Sequence, residues 1–140
     1  MKIFITGSSG FIGFHLSKKL LDSGHSIHGF DSMNNYYDVK LKKARYKILK
    51  KYSKFSFTKN NLENQKALSN TILKFKPKII IHLAAQAGVR YSIEKPRVYL
   101  DSNIRGTYNI IELAKKVNVK HLLIASSSSV YGANKRLPFK

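Results

Sequence analysis

The run Thr6, Gly7, Ser8, Ser9, Gly10, Phe11, Ile12, Gly13 follows an apolar stretch and precedes a helical period, the context in which glycine spacing points to phosphate binding. Gly7 permits a tight turn, Gly10 lets backbone approach a pyrophosphate, and Gly13 lets the helix pack closely, with the amides of the helix N-terminus facing the phosphates. Asp31 lies 18 residues beyond Gly13, where a carboxylate at a strand end can accept both hydroxyls of an adenosine ribose. A 2′-phosphate there would meet like charge without an adjacent arginine, so the pattern predicts NAD rather than NADP. The plainer alternative is that Asp31 caps a turn before Ser32 and Asn34.

A second cluster of chemistry-bearing groups, Ser126 to Ser129, follows the last apolar run and would sit at the carboxyl edge of a parallel sheet, where such sheets bind ligands. GxSxG is absent and no His/Asp/Ser triad can be argued, so these hydroxyls are donors and positioners rather than nucleophiles. His82 ends an apolar run with no metal-ligand spacing around it. It reads as a hydrogen-bonded structural residue, and no metal site is predicted. The chain has no Cys, which excludes a disulfide scaffold, a thiolate zinc site and a catalytic thiol.

The elements that must position these groups alternate in βαβ order. Lys2 to Ile5, Ser26 to Phe30, Phe55 to Thr58, Ile79 to Leu83 and His121 to Ala125 read as strands, the first, fourth and fifth nearly continuous in apolar residues, as a sheet covered on both faces requires. Phe11 to Leu21 reads as a helix, with apolar Phe11, Ile12, Leu16, Leu20 and Leu21, stopped at Gly24. Leu68 to Phe75 is a second, halted before Pro77, and Pro96 opens a third running through Ile104, Tyr108, Ile111, Leu113 and Ala114. The expected fold class is α/β, a Rossmann-like three-layer sandwich with a mostly parallel sheet of order 3-2-1-4-5, incomplete after the fifth strand. Such an ending would expose a sheet edge and apolar surface.

With 140 residues, 43% of them hydrophobic, the chain can form one modest domain with a real core. It carries 26 Lys and Arg against 7 Asp and Glu, a one-signed field that attracts polyanions. Nine of those cations and one acid, Asp38, fall between Tyr36 and Lys59. There Leu41, Ala44, Ile48 and Leu49 fit a helix with one buried side, read as a solvated insertion after strand two. No stacking motif or recognition-helix pattern accompanies it, so no dedicated nucleic-acid site is predicted. No long apolar run or signal-peptide pattern is present, so no membrane insertion is expected and a cytoplasmic location is the default.

The strings TGSSGFIG at 6–13, HLAAQAGVRYS at 82–92, DSNIRGTYNIIELA at 101–114 and ASSSSVYG at 125–132 resemble, in order, the extended short-chain dehydrogenase/reductase family. Within it the chain is most similar to the NAD-dependent nucleotide-sugar 4-epimerases, and QAGVRYS together with NNYYD at 34–38 resembles the UDP-glucuronate 4-epimerase branch. The resemblance implies that Gly7, Gly10, Phe11, Ile12 and Gly13 surround the NAD pyrophosphate and that Asp31, Asn34 and Asn35 face ribose and phosphate. Asn61 and Leu62 stand where the family holds the adenine edge with an Asp and an apolar residue; an amide there forfeits a charge-assisted bond. Leu83, Ala84 and Ala85 would line the cofactor, with simple core packing as the alternative. Asn103 would sit near the cofactor and active-site backbone. Arg90 would contact a substrate phosphate or uronate carboxylate, a solvated loop arginine being the alternative.

Ser127 takes the hydrogen-bonding role of the family's catalytic serine, with Ser126 and Ser128 as neighbouring candidates. In the family mechanism a tyrosine deprotonates the sugar 4-hydroxyl while NAD accepts hydride from C4, and the 4-keto sugar turns and is reduced on its other face. That tyrosine and the lysine four residues after it would fall beyond Lys140. Tyr36 with Lys40 and Tyr131 with Lys135 have the spacing, but the first pair lies in the insertion and the second directly after the serine run. The expectation is therefore an N-terminal NAD-binding domain, residues 1–140, of a UDP-sugar 4-epimerase without the base-bearing and substrate-binding portion. Its partner would be a UDP-sugar such as UDP-glucuronate in a complete enzyme; stand-alone turnover and homodimer formation are both in question. Two other readings stay open. One is a noncatalytic basic interaction module that kept the nucleotide fold, and the other is a cofactor half completed by a second polypeptide.

Overall fold

A computed structural model describes residues 1–134 and 136–139. Lys135, the partner of Tyr131 in the Tyr-Lys spacing, lies outside the described residues. Five parallel strands, β1 Lys2–Thr6, β2 Ser26–Asp31, β3 Phe55–Lys59, β4 Ile79–His82 and β5 His121–Ile124, form one sheet of order β3-β2-β1-β4-β5. That is the order anticipated. Ile3 pairs with Ile27 on one side and Ile79 on the other, and Ile27 and Ile79 pair in turn with Phe55 and His121.

The sheet's alternation divides the core. Ile3, Ile5 and Ile27 project to one face against Phe14 and Leu21 of helix α1 (Phe11–Asp22) and Leu49 of α2 (Val39–Leu49). Phe4, Phe30 and Ile80 project to the other, against Leu68 and Ile72 of α3 (Gln65–Phe75) and Ile110 and Leu113 of α6 (Gly106–Lys116). Successive residues of β1 thus face opposite helix layers, as period-two side-chain direction requires. Asn64 caps α3 by accepting from the Ala67 amide at 3.1 Å, which starts that helix before the anticipated Leu68; Lys76 ends it in a left-handed conformation, φ 53°.

Three expectations are corrected. The stretch from Pro96 to Ala114 is not one uniform helix: α5 (Pro96–Tyr99) runs into a π-helical turn, Leu100–Arg105, before α6, and a short helix α4 (Val89–Glu94) precedes it. Helix α2 forms where anticipated but does not bury Leu41, Ala44 and Ile48. Its inner positions are Leu49 and Lys42, seven residues apart and so on one face, while Leu41 and Ile48 are exposed. In α1, Phe11 and Ile12 do not join the core; the first turn projects past the sheet's carboxyl edge and leaves both exposed. The open edge is present as expected: on β5, Leu123 and Ile124 are 44% and 45% exposed.

Two histidines lie inside the sheet layers. His28 is bonded to the Ser56 and Thr58 hydroxyls at 2.7 and 3.0 Å and stacks on Phe4, ring centroids 5.5 Å apart. His82 lies between the Thr6 and Thr107 hydroxyls at 2.7 and 3.0 Å. Burial without a carboxylate partner pushes both imidazoles down to about 4. The unfolded chain binds those protons near pH 6.5, so stability is complete above that pH and is lost as pH falls through the window from about 6.5 to 4. Unfolding free energies from urea titrations at pH 7.5 and pH 5 should therefore differ by roughly 2 kcal/mol per histidine, and His28→Gln should shrink the difference. Equal free energies at the two pH values would show that these rings are not held neutral.

Candidate functional site

The site begins where β1 ends. Gly7 turns the chain with φ +71°, and its amide donates to the Phe30 carbonyl at 2.8 Å, tying the turn to β2. A Cβ on Gly13 would stand 2.1 Å from the Gly7 carbonyl oxygen, closer than any side chain tolerates, so α1 can lie against the turn only with glycine there. Gly10 precedes α1 in extended conformation, with no side chain over the helix's first amides. Those amides point out over the carboxyl edge of the sheet with the positive end of the helix dipole.

Around this turn opens a cleft of about 710 Å³. Its floor is Gly7, Gly10 and Gly13 with Phe11 and Ile12; its walls are Asp31 and Asn34 after β2, Asn61 and Leu62 after β3, and Leu83, Ala84 and Ala85 after β4. Three strand ends thereby converge on one space at a topological switch of the sheet, because β1 connects to β2 on one side and β4 lies on its other. The Asp31 carboxylate is 8% exposed and accepts from the Ser9 amide at 3.0 Å and the Met33 amide at 2.8 Å. It both caps its own turn and forms part of the cleft wall, with acceptor positions left over on each oxygen.

Four anticipated site residues lie outside the lining. Asn35 is exposed beyond Asn34, and Arg90 is exposed on α4. Asn103 spends its amide on the loop after β4: Oδ1 accepts from the Gln86 amide at 2.7 Å and Nδ2 donates to the Gln86 carbonyl at 2.9 Å. Ser127 is exposed, and its Oγ accepts from the Ser129 amide at 3.3 Å, starting a 3-10 turn over Ser128–Tyr131. Its neighbour Ala125 lines the cleft.

The cleft also takes residues outside the anticipated site. Tyr36, Tyr37, Lys42 and Arg45 come from the basic insertion, which folds back onto the site. The Arg45 guanidinium donates to the Ser9 carbonyl at 3.3 Å and lies 5.8 Å over the Phe11 ring. Ser9 thus stands between the two side chains, its amide on Asp31 and its carbonyl on Arg45. Helix period could have shown Lys42 and Arg45 sharing a face; nothing local marked that face as the inward one. Buried Asn109 of α6 is a further missed residue. Its Nδ2 donates to the Leu62 carbonyl at 2.9 Å, fixing the cleft wall after β3.

The Thr6 hydroxyl holds the remaining wall. It accepts from the Leu83 and Ala84 amides at 3.1 and 3.0 Å and lies 2.7 Å from His82 Nδ1. With both acceptor positions filled, its proton goes to Nδ1, so the His82 proton is on Nε2 and is donated to Thr107.

Residues 4–140 match the family profile described as GDP-mannose 4,6 dehydratase. Over 139 residues the chain is 51% identical to the probable UDP-glucuronate 4-epimerase of Rhizobium meliloti (strain 1021) and 54% identical to protein CapI of Staphylococcus aureus, in each case covering 99% of this chain and 41% of the relative. The chain thus spans about two fifths of the length of these curated relatives. It superposes on the crystal structure of UDP-glucuronic acid 4-epimerase from Bacillus cereus in complex with UDP-glucuronic acid and NAD, with TM-score 0.88 and 33% identity over 97% of this chain and 43% of that one. For UDP-glucose 4-epimerase from Bifidobacterium longum in complex with NAD+ and UDP the values are 0.83, 28%, 99% and 40%.

Replacing Thr6 by Val removes one oxygen and strands three groups, the Leu83 and Ala84 amides and His82 Nδ1. We expect Thr6→Val to cost about 3 kcal/mol or more, and Thr107→Val, which strands a single N–H, about 1–2 kcal/mol. Chemical denaturation of the two variants checks the order; a larger loss for Thr107→Val would mean that Thr6 is not the centre of the network.

Proposed function

The chain belongs to the NAD-dependent nucleotide-sugar epimerase/dehydratase superfamily, and we propose that it forms the NAD-binding portion of a UDP-sugar 4-epimerase of the UDP-glucuronate type. The observation that carries this reading is the cleft at the carboxyl edge, where the Gly7–Gly13 turn, Asp31 and the ends of three strands meet. The turn fits a dinucleotide in particular, because Gly10 leaves the first amides of α1 without a side-chain cap and the Gly13 contact packs the helix directly on the turn.

In this reading the amides at the start of α1 take the pyrophosphate, Asp31 accepts the ribose hydroxyls and Asn34 borders the ribose. The exposed Asn61 side chain meets the adenine edge, with Leu62 against the ring. Leu83, Ala84 and Ala85, small at two of three positions, let the nicotinamide half lie along the loop held by Thr6, and Asn103 keeps the continuation of that loop in place. When bound, NAD supplies reversible hydride acceptance at the sugar carbon. Ser127 still carries a proton to donate and is assigned to the sugar hydroxyl; Arg90 is assigned to the uronate carboxylate. Asn35 is assigned to the solvent side of the ribose. Epimerisation itself is proposed for a protein of the relatives' length, with residues 1–140 as its cofactor domain. The reading is of a cytoplasmic protein, and among the described residues no helix is long and apolar enough to cross a membrane.

Calorimetric titration of NAD into the purified chain at physiological salt tests the assignment. One site per chain is expected, with the dissociation constant raised roughly tenfold or more in Asp31→Ala, since two charge-assisted bonds are removed. A folded chain that ignores NAD but binds RNA in a salt-sensitive way would replace this reading with that of a basic interaction module.

A further inference from the structure

Lys42 is a charged side chain in a place where charge is costly. It is 7% exposed, facing the sheet from α2 beside Leu49, and burial lowers its ammonium below the ordinary lysine value while the Asp31 carboxylate pulls the other way. Its Nζ donates to the Asn34 carbonyl at 3.0 Å and to Asn34 Oδ1 at 2.7 Å. An ammonium has three protons; beyond the two on Asn34, its further described contact is the face of the Tyr37 ring, 5.9 Å from Nζ to the centroid. No acid forms an ion pair with Lys42 among the described residues. Buried cations are ordinarily paired, because the desolvation cost is offset only by a counter-charge at close range.

Arg45 repeats the pattern three residues on, on the same face of α2. It is half-buried on Phe11, spends one N–H on the Ser9 carbonyl, and forms no ion pair with a carboxylate among the described residues. Both cations line the cleft, Arg45 standing against the glycine turn through Ser9 and Phe11 and Lys42 against the adjoining loop after β2 through Asn34. The one acid beside them, Asp31, already has both oxygens engaged by amides. Asp31 thus faces two cations, and an anion entering the cleft would supply the further counter-charge.

We propose that Lys42 and Arg45 are phosphate-contacting residues of the dinucleotide site, a cationic clamp brought in by the insertion helix to close over the phosphate that the α1 turn holds from below. This rests on the dinucleotide reading above and adds to it two residues and a purpose for α2. The shared chemistry is a nucleotide phosphate, with two sources: the bridging pyrophosphate, or a 2′-phosphate on the ribose next to Asp31.

The test is titration of the whole chain with NAD, NADP and the phosphate-free nucleoside adenosine, comparing wild type with Lys42→Met, Lys42→Arg and Arg45→Gln. Removing a charge-assisted contact should raise the dissociation constant about tenfold or more in Lys42→Met and in Arg45→Gln. Adenosine binding should be unchanged, and Lys42→Arg should keep most of the wild-type affinity. If NAD and NADP weaken together the clamp meets the pyrophosphate; if only NADP weakens it meets the 2′-phosphate. Thermal midpoints serve as the folding control, and Lys42→Met should not lower its midpoint, since it removes a buried cation. Unchanged NAD and NADP affinities in both neutral variants would overturn the clamp alone. So would a parallel loss of adenosine binding, which would make Lys42 a brace for the Asn34 turn. A wild-type chain that binds neither dinucleotide would fail the underlying reading as well.

Discussion

One hydroxyl ends two strands. Thr6 Oγ1 closes β1, takes the first two amides beyond β4 and hands its proton to His82, which passes the order on to Thr107 of α6. In a parallel sheet the amides just past a strand end have no neighbour to pair with, and leaving them buried without an acceptor costs as much as a lost hydrogen bond. A single oxygen meets that requirement here, and by doing so sets where the chain turns aside after the sheet. The cleft exists because that turning point coincides with the glycine turn after β1.

The rest of the site is built by the same economy of backbone contacts. Asp31 holds Ser9 and Met33, Asn103 holds Gln86 from both sides, and Asn109 holds the Leu62 carbonyl. Each polar side chain reaches from a helix or strand end to a loop lining the cleft, so the loops are shaped by regular elements rather than by their own sequence. This is how a sheet edge can present a defined surface without packing a second core beneath it.

Much of this was legible in the residues. Continuous apolar runs at Ile3–Ile5 and Ile79–Ile81 marked strands covered on both faces, and glycine spacing after the first of them located the turn. What escaped depended on long-range partners. Leu41 and Ile48 looked like the inner face of α2, yet Lys42 is turned inward instead, where the Asn34 carbonyl and Oδ1 accept its ammonium, and Leu41 is left on the rim of the cleft. The π turn at Leu100–Arg105 has no local signature, since it sets Asn103 in reach of a backbone segment 17 residues away. Asn109 sits in a helix of ordinary periodicity and is set apart only by a carbonyl 47 residues earlier.

The uncovered side of β5 gives the chain's charge a second meaning. An outer strand with exposed Leu123 and Ile124 offers unpaired amides and carbonyls to any similar strand that meets it, the usual route to disordered stacking. Two such edges can meet only if their chains approach, and a net charge of +19 on 140 residues sets a long-range repulsion against that approach. For residues 1–140 taken by themselves, like charge therefore opposes the meeting of two such edges. That opposition reaches only as far as the Debye length, and so weakens as salt is added.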